Sequence, residues 1–382
     1  MGFLDHVTVV DATRLLPGGY CTMLLSDMGA RVVKVEQPGL GDYMRMTPPT
    51  SGGVSPVHST VNRNKLSIGL DLKKEEGKTI MRKLLARSDV FVEGFRPGVM
   101  DRLGFSFEEV RKVNPRIVYC SISSFGKRSG FSSMPGHDIN FQAMAGMLSY
   151  SRKPEMPMLQ LGDLSSGLFA ALSITAALAR KRRGAVLIDV PITQSLLSLA
   201  IIPTAAYLVT RHSPSEGHSL VFGSDSYYNL YRTSDGRYMA VAAIEDEFWR
   251  NTLRELGLSH LVEKRLGSER DRAEVREALQ RVFATRTRDE WARLLMGKDT
   301  CVTPVLSVEE ALNSEWAREY GSLVHVKGDG DVLAFPVKAS VPLRTSRLTP
   351  APRLGEHTEK ILRSLGYSAA EISRLREERV VE

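Results

Sequence analysis

The sequence predicts an α/β fold: a doubly wound, Rossmann-like parallel sheet in a large domain, with an inserted smaller α+β domain. Three observations predict it. The stretch "HVTVVDATRLLPGGYCTMLLSDMGARVVKVEQP" reads as strand, Pro-Gly-Gly turn, helix ending at Gly29 and strand, which is a βαβ unit. The alternation then continues for most of the N-terminal half. Finally, 382 residues with 42% hydrophobic side chains are long for one core and supply enough apolar material for two domains.

Element by element, the first unit is followed by the strand "KLSIGLDL", a helix over Lys74 to Ala86, the strand "DVFVEGF", a helix around Met100 to Asn114 and the strand "RIVYCSISSFG". A helix over Gly167 to Arg183 and "AVLIDVPITQSLLSLA" complete the alternation. Pro, Ser, Gly and His gather near His212 to Gly223 and mark a linker. Beyond it, "YYNLYRTSDGRYMAVAAIE" has the form of a hairpin turning at Ser-Asp-Gly, and charged amphipathic helices run from about Glu247 to Leu295. The expected boundaries are a large domain over 1–211, with a linker helix from about 192, and a linker over 212–224. The small domain follows over 225–305, a return linker over 306–340 and a helical segment over 341–382.

Composition narrows the function. Three scattered cysteines, Cys21, Cys120 and Cys301, form no C-x-x-C pair and no zinc-type cluster, which fits a reducing cytosol and a metal-free protein. The N-terminal residues lack an export signal, and the most apolar runs, "GLFAALSITAALA" and "LLSLAIIPTAAYLV", are shorter than a membrane span and are expected as buried helices. A net charge of +7 favours an anionic partner. With no basic stripe carrying interleaved aromatics, that partner is expected to be a phosphate-bearing small molecule, not nucleic acid. "LPGGYC" lacks the G-x-G-x-x-G spacing, so Glu36 at the end of the second strand does not signal a nicotinamide cofactor.

Three groups are candidates for acid–base work. His137 and Asp138 follow the Pro135-Gly136 turn in "PGHDINFQAMAG"; alone, His137 is either a proton carrier or a satisfied histidine at a helix start. Asp163 in "LQLGDLSSG" is either a proton carrier or a helix N-cap. Glu245, followed by Asp246 and Glu247, is either the support of an imidazolium or part of a solvated acidic first turn. Read together, a histidine and a carboxylate beside a helix N-terminus make a workable pair of proton carriers, with backbone N–H groups there available to hold an enolate oxygen.

In order along almost the whole chain, "LLSDMGARVVKVEQPG", "NRNKLSIGLDLK", "EGFRPGVMDRLG", "GHDINF", "YRTSDGRYMAVAAIEDEFW", "DTCVTPVLSVEEAL" and "GEHTEKILRSLGYSAAEI" resemble the class III CoA-transferase (CaiB/BaiF) superfamily. Within it, "GHDIN" is similar to the α-methylacyl-CoA racemase branch. The resemblance implies a CoA-binding large domain rejoined by the last helices, an interlocked homodimer, an acyl-CoA thioester substrate and no tightly bound cofactor. It makes His137 and Asp163 the two catalytic acid/bases, with Glu245 supporting His137. It also sets Asp138 close to the thioester, counts Gly136 among the CoA-binding residues, and sets Arg96 at a CoA phosphate together with Arg63 and Lys65, which are otherwise solvated basic residues before a strand. Three positions depart from the racemase pattern: Gln37, Phe141 and the "LSSG" after Asp163. The last is closer to transferases, in which Asp163 would be a nucleophile carrying an aspartyl-CoA thioester.

Overall fold

A computed structural model describes residues 2–50, 55–150, 155–181, 184–212 and 225–382. The chain divides into two compact units, residues 1–148, 156–200 and 319–382 in the first and 149–155 and 201–318 in the second. The predicted linker over 212–224 lies almost wholly outside the described residues.

In the first unit the strands are β1 (Thr8–Ala12), β2 (Arg31–Glu36), β3 (Lys65–Gly69), β4 (Val90–Glu93), β5 (Val118–Ser123) and β6 (Val186–Pro191). They form one parallel sheet in the order β3-β2-β1-β4-β5-β6. Winding reverses between β1 and β4, and that crevice at the carboxyl ends of the strands is where such sheets hold ligands. The central strands read as apolar runs because helices bury both faces: Val9, Val32 and Val92 belong to one core, Val10, Val33 and Phe91 to the other. One layer contains the helices Leu15–Asp27 and Leu161–Leu178; the other contains Glu75–Ala86 and the terminal helices Thr358–Ser364 and Ala369–Glu377. The chain end is tied in by an antiparallel bridge between Leu70 and Val381.

Gly167 shows why the first layer closes so tightly. A Cβ there would stand 2.8 Å from the Pro17 carbonyl oxygen and 3.0 Å from the Tyr20 ring, so the glycine of "LSSG" lets the two long helices approach. The helix starts at Leu161, earlier than the expected Gly167. By length and composition it is long and apolar enough to cross a membrane. It packs instead against Leu15–Asp27, with Ala170, Ala171 and Ile174 in the core.

The second unit has a three-stranded antiparallel sheet of β7 (Tyr228–Arg232), β8 (Tyr238–Ala242) and β9 (Val302–Pro304). Gly236, at φ +79°, supplies the left-handed residue of the β7–β8 turn. Trp249, Phe283 and Trp291 fill its core, whereas Trp316 is 60% exposed. The run "LLSLAIIPTAAYLV" is not one buried helix: Ile192–Leu199 and Ile201–Thr210 meet at a 73° bend, and most of the second helix's large apolar side chains are exposed. Where a return linker was expected, β10 (Leu323–Val326) and β11 (Gly330–Leu333) form a hairpin in the first unit.

Candidate active site

At the switch point, the loops after β1, β4 and β5 and the segment around Pro135 to Phe141 enclose a cleft of about 590 Å³. His137, Gly136, Arg96 and Asp163 all line it, so the structure brings four of the predicted site residues together. A second cavity of about 380 Å³ adjoins it over the ends of β2 and β3, and Arg14 and Phe95 line both.

The loop after β1 is held from below by buried charge. Asp11 accepts from the Thr13 N–H (2.9 Å), the Thr22 hydroxyl (2.7 Å) and Lys65 Nζ (3.1 Å). Lys34 Nζ donates to the Thr13 carbonyl (3.0 Å) and lies 2.9 Å from the Asp42 carboxylate, which also accepts the Leu15 N–H. Leu15 is thereby kept at φ +64°, a conformation costly for a branched side chain. Burial alone would raise the Asp11 pKa, but Lys34 and Lys65 beside it hold it well below the usual carboxylate range.

This arrangement corrects the expectation for two cations. Lys65 is 1% exposed and its ammonium is spent on Asp11, Thr22, Asn62 and the Gly19 carbonyl; burial pushes it down to about 8. Arg63, also 1% exposed, binds the Asp27 carboxylate through Nε and Nη2 and the Thr60 carbonyl through Nη1. Neither presents a donor to a phosphate; both knit the interior. Arg96, by contrast, is exposed and has no ion pair among the described residues.

Arg14 is a cleft residue the sequence reading missed. Its guanidinium lies 5.1 Å from the ring centres of both Tyr43 and Phe95 and donates to the Tyr43 hydroxyl (3.0 Å) and to Gln37 Oε1 (3.3 Å), with no carboxylate partner among the described residues. Gln37, named above as a departure from the racemase pattern, thus helps hold a cation. Its position just past β1, beside the switch point, was the available signal.

His137 precedes the helix Asp138–Met144 and is exposed to the cleft; its N–H donates to Asn140 Oδ1 (3.0 Å), which fixes the turn. Asp163 is half-buried in the first turn of Leu161–Leu178 and does not cap that helix. The cap comes from elsewhere: Asp138 Oδ1 accepts the N–H groups of Gly162 (2.8 Å) and Asp163 (3.0 Å). Two expectations change. Asp138, 7% exposed, faces the helix and is not among the residues lining the cleft; and these two N–H groups, already engaged, are not free to hold an enolate. Burial and the neighbouring Asp138 charge raise the Asp163 pKa to about 7.

Glu245 lies in the second unit, exposed, as the residue preceding the helix Asp246–Glu255. Cys21, in the buried layer, has its thiol pKa pushed up by burial and is no reactive thiolate.

A doubly wound sheet whose switch-point cleft brings a histidine and an aspartate together has the frame of an α/β enzyme, and comparison with known proteins gives the family. Residues 4–358 match CoA-transferase family III, and the chain belongs to that family, which is enzymatic. It is 36% identical to the alpha-methylacyl-CoA racemase of Mus musculus over 390 residues, covering 99% of this chain and 97% of that one. It is 30% identical to the succinyl-CoA:glutarate CoA-transferase of Mus musculus, covering 97% and 88%. Among solved structures, a CAIB/BAIF family protein from Brucella suis superposes with a TM-score of 0.81 at 27% identity, covering 95% of this chain and 99% of that one.

Proposed function

We propose that the chain is a 2-methylacyl-CoA racemase, or a close epimerase, acting by 1,1-proton transfer. The observation that carries this reading is the shared cleft of His137 and Asp163, with Asp163 titrating near neutrality. Racemisation needs a proton carrier on each face of the α-carbon. Neutral His137 removes the α-proton, the thioester carbonyl takes up the electron pair as an enolate, and protonated Asp163 returns a proton to the opposite face; the reverse direction exchanges the roles. A carboxyl group with a pKa of about 7 is populated in both forms at neutral pH, as both directions require. Following the resemblance, Glu245 steadies the imidazolium. The nucleotide part of CoA is assigned to the adjoining cavity, where Lys73 and Arg102 stand, and the thioester arm passes Arg14 and Arg96.

The second reading is CoA transfer between carboxylic acids through an aspartyl-CoA thioester on Asp163, favoured by the transferase relatives and by "LSSG". It asks for an ionised nucleophile, and the raised Asp163 pKa speaks for the proton-transfer reading.

The test is incubation with one epimer of a 2-methylacyl-CoA in D₂O without an acceptor acid. Deuterium should enter the α-carbon with inversion, and His137→Ala or Asp163→Asn should each lose about 10²–10⁴-fold of that rate. An inert α-carbon, with CoA exchange appearing once a free carboxylic acid is added and surviving His137→Ala, establishes the transferase instead.

A further inference from the structure

Behind the cleft, a buried polar chain runs from the helix Asp138–Met144 to the start of Leu161–Leu178. Gln142, 2% exposed, donates through Nε2 to Asp138 Oδ2 (2.5 Å) and to the Leu159 carbonyl (2.9 Å). Its amide is therefore fixed in orientation: turned over, its oxygen would face a carbonyl and a carboxylate. Asp138, held from that side, offers its other oxygen to the Gly162 and Asp163 N–H groups. Position 162 leaves room for this, since a Cβ there would lie 2.9 Å from Asp138 Oδ1 and 2.9 Å from Ile192 Cγ2.

From this geometry we infer that Gln142 is a positioning residue: it locks the Asp138 carboxylate onto the first turn of the helix bearing Asp163, and the pair tunes when Asp163 carries its proton. Free N–H groups at a helix start favour an ionised carboxylate in the first turn. Here two of them are already spent on Asp138, and a negative charge stands in their place. Among the described residues, the titratable and charged groups that share Asp163's cleft or pack on its helix are Asp138 behind it, His137, Arg14, Arg96 and Tyr43 around the cleft, and Tyr20 against Gly167 one turn on. Only Asp138 among them is negative at neutral pH, so it alone opposes ionisation by charge. The raised Asp163 pKa follows from burial and this carboxylate.

The inference uses the proton-carrier reading of Asp163, but its test does not depend on turnover. Protein labelled with ¹³C at the aspartate carboxyl carbons is titrated by NMR, with the Asp163 and Asp138 signals assigned by their absence in Asp163→Asn and Asp138→Asn. Asp138→Asn keeps an oxygen for the two N–H groups and removes the charge, so the Asp163 titration should fall by at least about one pH unit, tenfold in proton affinity. Gln142→Met keeps the volume and removes the donor; the Asp138 titration should rise by about one unit, the effect of losing one hydrogen bond to a charged group. An unmoved Asp163 in a cooperatively melting Asp138→Asn, or an unmoved Asp138 in Gln142→Met, overturns the inference. If the wild type exchanges no α-proton while these shifts appear, the pair stands and the racemase reading falls.

Discussion

Asp163 must lose and regain a proton near neutral pH, and its folded surroundings oppose ionisation. A carboxyl group raised from 3.8 to about 7 binds more protons in the folded than in the unfolded chain between those values. Its cost to stability is therefore absent below about pH 4, grows through the interval and is complete above pH 7. Asp163→Asn imitates the neutral form and should be the more stable protein at pH 8, by about 2 kcal/mol after allowance for solvent in the cleft, with the gap closing near pH 4. Urea denaturation at the two pH values measures it; a variant less stable at pH 8 would mean that Asp163 is not held against ionisation. Arg14 makes a contrasting residue-scale prediction. Lying on the wall common to both cavities, its guanidinium is suited to a diphosphate, and Arg14→Ala should raise KM for an acyl-CoA about tenfold or more while leaving KM for the corresponding acyl-pantetheine thioester unchanged. Equal losses on both substrates would assign Arg14 to the shape of the loop.

Among the elements, the strands and the hairpin were legible because their signals are local: apolar runs bounded by turn residues, and Ser-Asp-Gly between alternating strands. What escaped the reading depends on partners distant in the chain. Arg63 and Lys65 look like a solvated basic pair until Asp27, 36 residues earlier, and Asp11, 54 residues earlier, fold against them. The helix start was placed at Gly167 instead of Leu161 because its cap, Asp138, comes from 24 residues upstream, whereas Asp163, which has the residue type of a cap, already lies inside the first turn. His137 and Asp163 were found from short motifs, since each occupies a turn where chain geometry and chemistry coincide; Arg14 was signalled only by its place just past β1, and nothing beside Gln142 in sequence distinguishes it. The interior charges carry their own prediction. Asp11→Ala leaves Lys34 and Lys65 buried without their shared carboxylate and should cost about 3–5 kcal/mol in denaturant unfolding. A cost under about 1 kcal/mol would show that Lys65, already lowered to about 8, simply sheds its proton.

At the scale of the whole molecule, the exposed face of one helix bears on the assembly. Ile201, Ile202, Leu208 and Val209 are 71%, 54%, 57% and 85% exposed on the helix Ile201–Thr210, a concentration of apolar surface that a solitary chain would leave in water. The resemblance implies an interlocked homodimer with the site where two chains meet, and a second copy is the occupant we propose for this face. The protein should then sediment at twice the 42.3 kDa of its chain across micromolar concentrations. Ile201→Asp with Val209→Asp should shift it toward the single-chain mass, because each substitution would bury an unpaired carboxylate in the contact, at a cost of several kcal/mol. Since the proposed mechanism draws on Glu245 as well as His137 and Asp163, α-proton exchange should fall with the dimer fraction as the doubly substituted protein is diluted. Full exchange in a single-chain species would place the entire proton-transfer apparatus within one chain, and a dimer unmoved by both aspartates would mean that another surface joins the copies.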